Sequence, residues 1–183
     1  MNYARWGIRL AEMRAEDWPK PDEYAPVPEE SWFRAVSVNA PVEIVFRWIC
    51  QLRAAPYSYD WIDNFGRQGP RHLVDELDRL RIGQKVMTIF RVHDFLTDHY
   101  VTIVLWPPRN FLCSDLRITY RCAPLGKKES RLMVRVQIRY PKHAFRGIIR
   151  SLLPWGDLLM MRKQLLTLKR LAESRYRGGS GVP

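Results

Sequence analysis

The densest group of side chains able to do chemistry in this chain is Tyr57-Ser58-Tyr59-Asp60-Trp61-Ile62-Asp63-Asn64. Aromatic rings interleaved with carboxylates and amides can stack on a bound molecule and fix its orientation, which is what the mouth of a ligand pocket requires. Tyr57, Tyr59, Trp61 and Asn64 are the binding candidates of this segment. If the stretch is helical, Asp60 and Asp63 lie three apart on one face. One of the two carboxyls can then have a raised pKa and act as an acid or base. A plainer reading stands beside it, in which Asp60 caps a turn, Asp63 or Asn64 closes a loop and the tyrosines pack.

The four histidines, His72, His93, His99 and His143, are scattered, and none forms an HxH or HExxH pair. No metal site is expected from them. Two-residue alternation sets His93 on one strand face with Met87, Ile89 and Phe95, where it is either a general base pointing into a cavity or an ordinary satisfied histidine. The chain has no Gly-rich phosphate loop and no recognisable nucleophile motif, and no cofactor is expected. Cys50, Cys113 and Cys122 cannot all pair with one another and lack zinc-ligand spacing, which fits a reducing, cytoplasmic setting.

The elements that must position these residues follow from periodicity. Trp32, Val36 and Val38 share a strand face, with Arg34 as the exception on it. Asn39 is placed to cap, and Pro41 to open, a helix whose inward residues are Val42, Val45, Phe46, Ile49 and Leu52, ending at Pro56. A long connection to Gly83 contains a short helix around Leu73 to Leu80. Four strand-like segments follow, Val86–Phe95, Tyr100–Trp106, Phe111–Cys122 and Arg131–Tyr140, joined by short turns and therefore antiparallel. In the last of them Leu132, Val134, Val136, Ile138 and Tyr140 alternate with Arg131, Met133, Arg135, Gln137 and Arg139, so one face is buried and the other wet. A short helix near Ala144–Leu153 should break at Pro154. A long one, Trp155–Tyr176, then carries an inward stripe of Leu158, Met161, Leu165, Leu168 and Ala172, widened by Leu159, Leu166 and Leu171. Residues 1–30 form an N-terminal arm containing several prolines, residues 31–176 the domain, and residues 177–183 a tail expected to be disordered.

The 183 residues fit one domain, and the 46% hydrophobic content supports a packed core. Thirty Lys and Arg against 19 Asp and Glu give a formal charge of +11. The excess is spread out rather than gathered in a run, and no nucleic-acid-binding motif accompanies it, so nucleic acid is not the expected partner. An anionic membrane surface is a second use for that charge, met by outward Arg117, Arg121, Arg135 and Arg139.

The element order, strand, helix, long connection, antiparallel strands and long C-terminal helix, resembles that of the SRPBCC superfamily. So does Val38-Asn-Ala-Pro-Val-Glu-Ile-Val-Phe-Arg-Trp-Ile, like that group's first strand entering its first helix. Tyr57-Ser-Tyr-Asp-Trp-Ile-Asp-Asn, followed by Glu76-Leu and Ile82-Gly-Gln, is similar to a pattern in many bacterial members. The resemblance covers about residues 32–176. It implies an α+β helix-grip fold: a curved antiparallel sheet wrapped around the long C-terminal helix, with an apolar cavity between them. Strand and helix periodicity then offers Phe90, Tyr120, Tyr140, Met161 and Leu165 as cavity lining, each also an ordinary core residue. Two functions follow as expectations. One is a carrier that holds a lipid-like or polyketide-like molecule. The other is a cyclase or aromatase in which Tyr59, Asp60 or Asp63 moves protons.

Overall fold

A computed structural model of the chain describes residues 18–19, 27–57, 69–87, 89–106 and 112–179. Strand β1 spans Glu30–Val38. It turns Trp32, Arg34 and Val38 inward to deep burial, with Val36 packed against the same core, while Ser31, Phe33, Ala35 and Ser37 alternate to the other face. Helix α1, Val42–Cys50, buries Val45, Phe46, Trp48, Ile49 and Cys50. Pro41, not Asn39, holds its N-cap position, and no side chain caps it. Asn39 is engaged elsewhere, its backbone N–H donating to Glu173 Oε1 at 2.9 Å.

A 3₁₀ turn, Gln51–Arg53, extends α1, and a second, Asp75–Asp78, lies within the expected short helix. The buried Gln51 amide fastens the second to the first. Its Nε2 donates to the Val74 carbonyl at 3.2 Å and its Oε1 accepts from the Val74 N–H at 3.1 Å. Arg47 adds ion pairs to Asp75 and Asp78.

Strands β2 (Lys85–Val86), β3 (Phe90–Leu96), β4 (Tyr100–Leu105), β5 (Asp115–Gly126) and β6 (Glu129–Arg139) complete a six-stranded sheet in the order β1-β6-β5-β4-β3-β2, antiparallel throughout. The inward alternation expected of β5 and β6 holds, with Ile118, Tyr120, Cys122, Leu132, Val134, Val136 and Ile138 in the core, but the other face is not wet throughout, since Thr119 and Met133 on it are buried too. The register aligns inward residues in rows across the curved sheet. One row runs Arg34, Val134, Tyr120, Val101, so Arg34 and Tyr120 lie two strands apart on the same face.

The long helix α2 spans Arg146–Gly179. It runs through Pro154, correcting the expected break, and past Tyr176, so residues 177–179 are helical rather than tail. Pro154 still removes the N–H that would pair with the Arg150 carbonyl, but the turns on either side hold the helical path. Ile149, Met161, Leu165, Leu168 and Ala172 face the core. Leu159 and Leu166 are exposed instead of widening that stripe. The helix packs on β1 and α1, giving the α+β helix-grip arrangement of curved sheet and C-terminal helix.

Candidate functional site

An inward position on β1 ordinarily takes an aliphatic side chain, and here it holds Arg34, whose side chain is 6% exposed. A buried cation must be paired, because removing it from water costs several kcal/mol otherwise. Asp157 of α2 supplies the partner from one helical turn before Met161, on the same inward side. Arg34 Nη2 donates to Asp157 Oδ2 at 3.0 Å, and Nη1 donates to the Phe33 carbonyl at 3.0 Å. The buried Arg34 Nε donates to no acceptor among the described residues. Burial pushes the Asp157 carboxyl up to about 6, with Arg34 pulling in the opposite direction. Burial likewise lowers the Arg34 pKa, opposed by Asp157. The guanidinium stays charged all the same. At neutral pH the site is an ion pair whose acid is close to its titration range.

Tyr120 belongs to the same row of the sheet and is fully buried. Its hydroxyl donates to Gln164 Oε1 at 2.8 Å, and Gln164 Nε2 donates to the Pro56 carbonyl at 2.5 Å. Burial raises the Tyr120 pKa, the nearby Asp157 charge raises it further and the Gln164 bond lowers it. Tyr120 is therefore a fixed neutral donor. Through Gln164 it ties α2 to the end of the segment that follows α1.

Between β1 and the N-terminal half of α2 a groove of about 460 Å³ opens onto Arg34 of this pair. Trp32, Pro154, Trp155 and Leu158 give it apolar walls, and Gly147 and Ser151 keep the helix side thin. Its polar groups are Glu30, Arg34 and Arg150. Glu30 is held on three sides, accepting from Trp32 Nε1 at 3.2 Å, Tyr140 Oη at 3.1 Å and Arg150 Nε at 2.8 Å. The Arg146 and Arg150 guanidinium groups lie 5.9 and 5.8 Å from the Tyr140 ring centroid. The rim is thus rigid and polar while the walls are apolar. Such a groove can take an elongated apolar molecule and orient one polar end of it.

Of the residues proposed from sequence, Tyr59, Asp60, Trp61, Asp63 and Asn64 lie outside the described residues. Tyr57 is described. It is buried, with a positive φ of 53°, and its hydroxyl donates to the Pro70 carbonyl at 2.8 Å. Tyr57 and Pro70 therefore meet on either side of residues 58–68. Gly69 packs so close to Tyr57 that an added Cβ would lie 3.0 Å from the ring.

Phe90, Tyr120, Tyr140, Met161 and Leu165 are all in the core cluster, and none of them is among the residues lining the groove. Tyr140 meets the groove at its rim, through its bond to Glu30 and its contact with the Arg150 guanidinium. Met87 and Phe95 pack against the core as expected, Phe95 opposite the inward Val101, but Ile89 and His93 do not share that face. Phe90 and Val92 are the inward residues of β3 up to its bulge, Ile89 is exposed, and His93 sits half-buried at that bulge, where Val92 opposes Ile103 and Asp94 opposes Thr102. The extra residue of a bulge shifts the two-residue phase on which that placement depended.

Sequence reasoning missed Arg34 and Asp157 as a pair. Arg34 was visible as a charge on an apolar strand face, and Asp157 falls four residues before Met161 on the inward stripe. Only the tertiary packing of β1 on α2 joins the two signals.

No protein-family model matches the sequence, and no curated protein does. Solved structures do match. The Zhui aromatase/cyclase from Streptomyces sp. R1128 aligns over 84% of this chain and 99% of its own, at 13% identity and a TM-score of 0.59. A norcoclaurine synthase from Thalictrum flavum aligns over 80% of this chain and 95% of its own, at 10% identity and a TM-score of 0.49. The former likeness is one of fold, and it agrees with the resemblance to the SRPBCC superfamily read from the sequence: the chain has the helix-grip fold of the aromatase/cyclase.

Proposed function

We propose that this protein binds a hydrophobic small molecule, lipid-like or polyketide-like, between the sheet and α2, and carries or sequesters it inside the cell. The observation that supports this reading best is the groove of about 460 Å³, whose lining combines apolar walls with Arg34, the buried partner of Asp157. Apolar walls supply affinity through buried area, roughly 25 cal/mol per Å² before the costs of association. The few polar groups then set orientation. Arg34, with a buried N–H that has no acceptor among the described residues, and Arg150 at the rim favour a ligand bearing an oxygen acceptor at one end. Native mass spectrometry of detergent-free protein, followed by denaturing extraction, tests the proposal. A near-stoichiometric apolar molecule supports it. Protein that emerges empty and also fails to bind a panel of fatty acids, sterols and aromatic polyketides contradicts it.

A second reading, catalysis of the cyclase or aromatase type, is favoured by one observation. A carboxyl pushed up to about 6 beside a fixed cation can exchange a proton near neutral pH, and fully buried Tyr120 lies within its electrostatic reach. In this reading Asp157 moves the proton and Arg34 stabilises developing negative charge, while Tyr59, Asp60 and Asp63 remain candidates from the sequence. Turnover of a bound polyketide that is lost in Asp157→Asn with binding kept would establish it.

A further inference from the structure

The groove between β1 and α2 is lined by charged groups that cancel one another. Three charged side chains line it, Glu30, Arg34 and Arg150. Arg150 Nε donates to Glu30 Oε1 at 2.8 Å, and Arg34 Nη2 donates to Asp157 Oδ2 at 3.0 Å, an acid that stands behind the lining. Next to the rim, Arg146 is ion-paired to Glu29. Each of these cations has its own acid, and the charges cancel pair by pair when every acid is ionised.

The two pairs at the lining differ in their contact with water. The Arg150 and Glu30 side chains are 54% and 25% exposed, so solvent screens them. Those of Arg34 and Asp157 are 6% and 14% exposed. The buried pair acts on the interior of the groove at low dielectric, where an unbalanced charge is felt most strongly. Asp157 is the group that cancels Arg34 there.

An anion entering the groove gives up hydration against Trp32, Pro154, Trp155 and Leu158. Only an unbalanced cation repays that loss, and a carboxylate drawn towards Arg34 meets the like charges of Asp157 and Glu30 instead. A neutral hydroxyl or carbonyl loses far less on entry. The rim can still orient it, because Arg150 keeps N–H donors besides the one given to Glu30.

We propose that the Arg34–Asp157 pair sets the charge class of the ligand, so that the groove takes neutral oxygen-bearing apolar molecules, such as alcohols and ketones, and turns away anions of the same chain length. The inference rests on the carrier reading and deepens it. Asp157 becomes a specificity residue that acts through Arg34 without lining the groove itself.

The test uses decanol and decanesulfonate, equal chains that end in a neutral hydroxyl and in a permanent anion. Calorimetric titration below the micelle concentration compares wild type, Asp157→Asn and Glu30→Gln. At about pH 8 the wild type should bind decanol about tenfold or more tightly than decanesulfonate. Asp157→Asn keeps an acceptor for Arg34 and removes the charge. It should hold decanol affinity within about threefold and raise decanesulfonate affinity about tenfold or more. Glu30→Gln should move the ratio less, because its partner Arg150 is half exposed and screened.

The wild type supplies the same comparison without a substitution. Of the elements packed against Asp157, β1 turns Arg34 to it and β5 turns Tyr120. The guanidinium stays charged, and burial keeps the Tyr120 hydroxyl neutral. Asp157 titrates at about 6, so decanesulfonate should bind more tightly at about pH 5 than at about pH 8, and this rise should be absent from Asp157→Asn.

Equal or tighter binding of decanesulfonate than of decanol by the wild type at about pH 8 would overturn the inference. So would an anion affinity that neither Asp157→Asn nor acid raises. Binding of neither probe by folded wild type would contradict the carrier reading, and the inference with it.

Discussion

Arg34 of β1 and Asp157 of α2, 123 residues apart in sequence, meet at 3.0 Å between the sheet and the helix that grips it, with side chains only 6% and 14% exposed. Breaking such a pair from one side leaves a charge buried without its partner. Arg34→Met or Asp157→Leu alone should therefore cost about 3–5 kcal/mol in urea denaturation, whereas the double variant should return to within about 1 kcal/mol of the wild type or exceed it. Additive losses in the double variant would mean that the two residues act independently.

The pair also fixes a pH dependence. The Asp157 carboxyl titrates at about 6 in the folded chain against 3.8 as its ordinary value, so the folded state holds this proton more tightly than the unfolded one. Stability from that proton is fully present below pH 3.8 and is lost as pH rises towards 6. Carbon-detected NMR of the side-chain carboxyls should show one aspartate with a midpoint near 6. Because Arg34 lowers that pKa, Arg34→Gln should move the midpoint higher. A midpoint in the ordinary aspartate range would remove the acid–base option from this site.

Much of this fold was legible in the chain. The two-residue alternation of Leu132, Val134, Val136 and Ile138 defines β6 because every second side chain of the strand must enter the core. The 3.6-residue spacing of Val45, Phe46 and Ile49 defines α1 for the same kind of reason. What escaped was decided by packing. Pro154 ends helices in isolation, yet here the turns on both sides are held against β1, and α2 continues through it. Ile89 and His93 defeated the alternation because a bulge at Val92/Asp94 resets its phase. The candidate site was half legible: the inward charge on β1 was plain, but its partner lies on the other side of the core, and no local period connects them.

Tyr120, Gln164 and the Pro56 carbonyl form a buried chain of hydrogen bonds from β5 through α2 to the stretch after α1. Tyr120→Phe leaves Gln164 Oε1 without its donor and should cost about 1–3 kcal/mol. Gln164→Leu strands both the tyrosine hydroxyl and the carbonyl, and should cost more. Adding Tyr120→Phe to Gln164→Leu should recover part of that loss, because a stranded hydroxyl is removed. Chemical denaturation of the three variants and the wild type would show the coupling, and strict additivity would contradict it.

Gly69 meets Tyr57 and Ala55 so closely that a Cβ there would fall 2.8 Å from the Ala55 Cβ. Gly69→Ala should therefore destabilise by about 1–3 kcal/mol. Limited proteolysis should also cut faster near residues 58–68 in this variant, since it disturbs the junction that Tyr57 and Pro70 hold. An unchanged melting temperature would show that the close approach is readily relieved.

The claim that the β1–α2 groove is the ligand-binding site is tested most directly at Gly147, which lines it and has open space where a Cβ would stand. Gly147→Trp should fill the groove without touching the core. Titration of wild type and variant with a fluorescent fatty acid or an aromatic polyketide should give one saturable site in the wild type and an affinity lower by about tenfold or more in the variant. The melting temperatures should stay equal. Equal affinity in two equally stable proteins would place the ligand elsewhere and contradict the account.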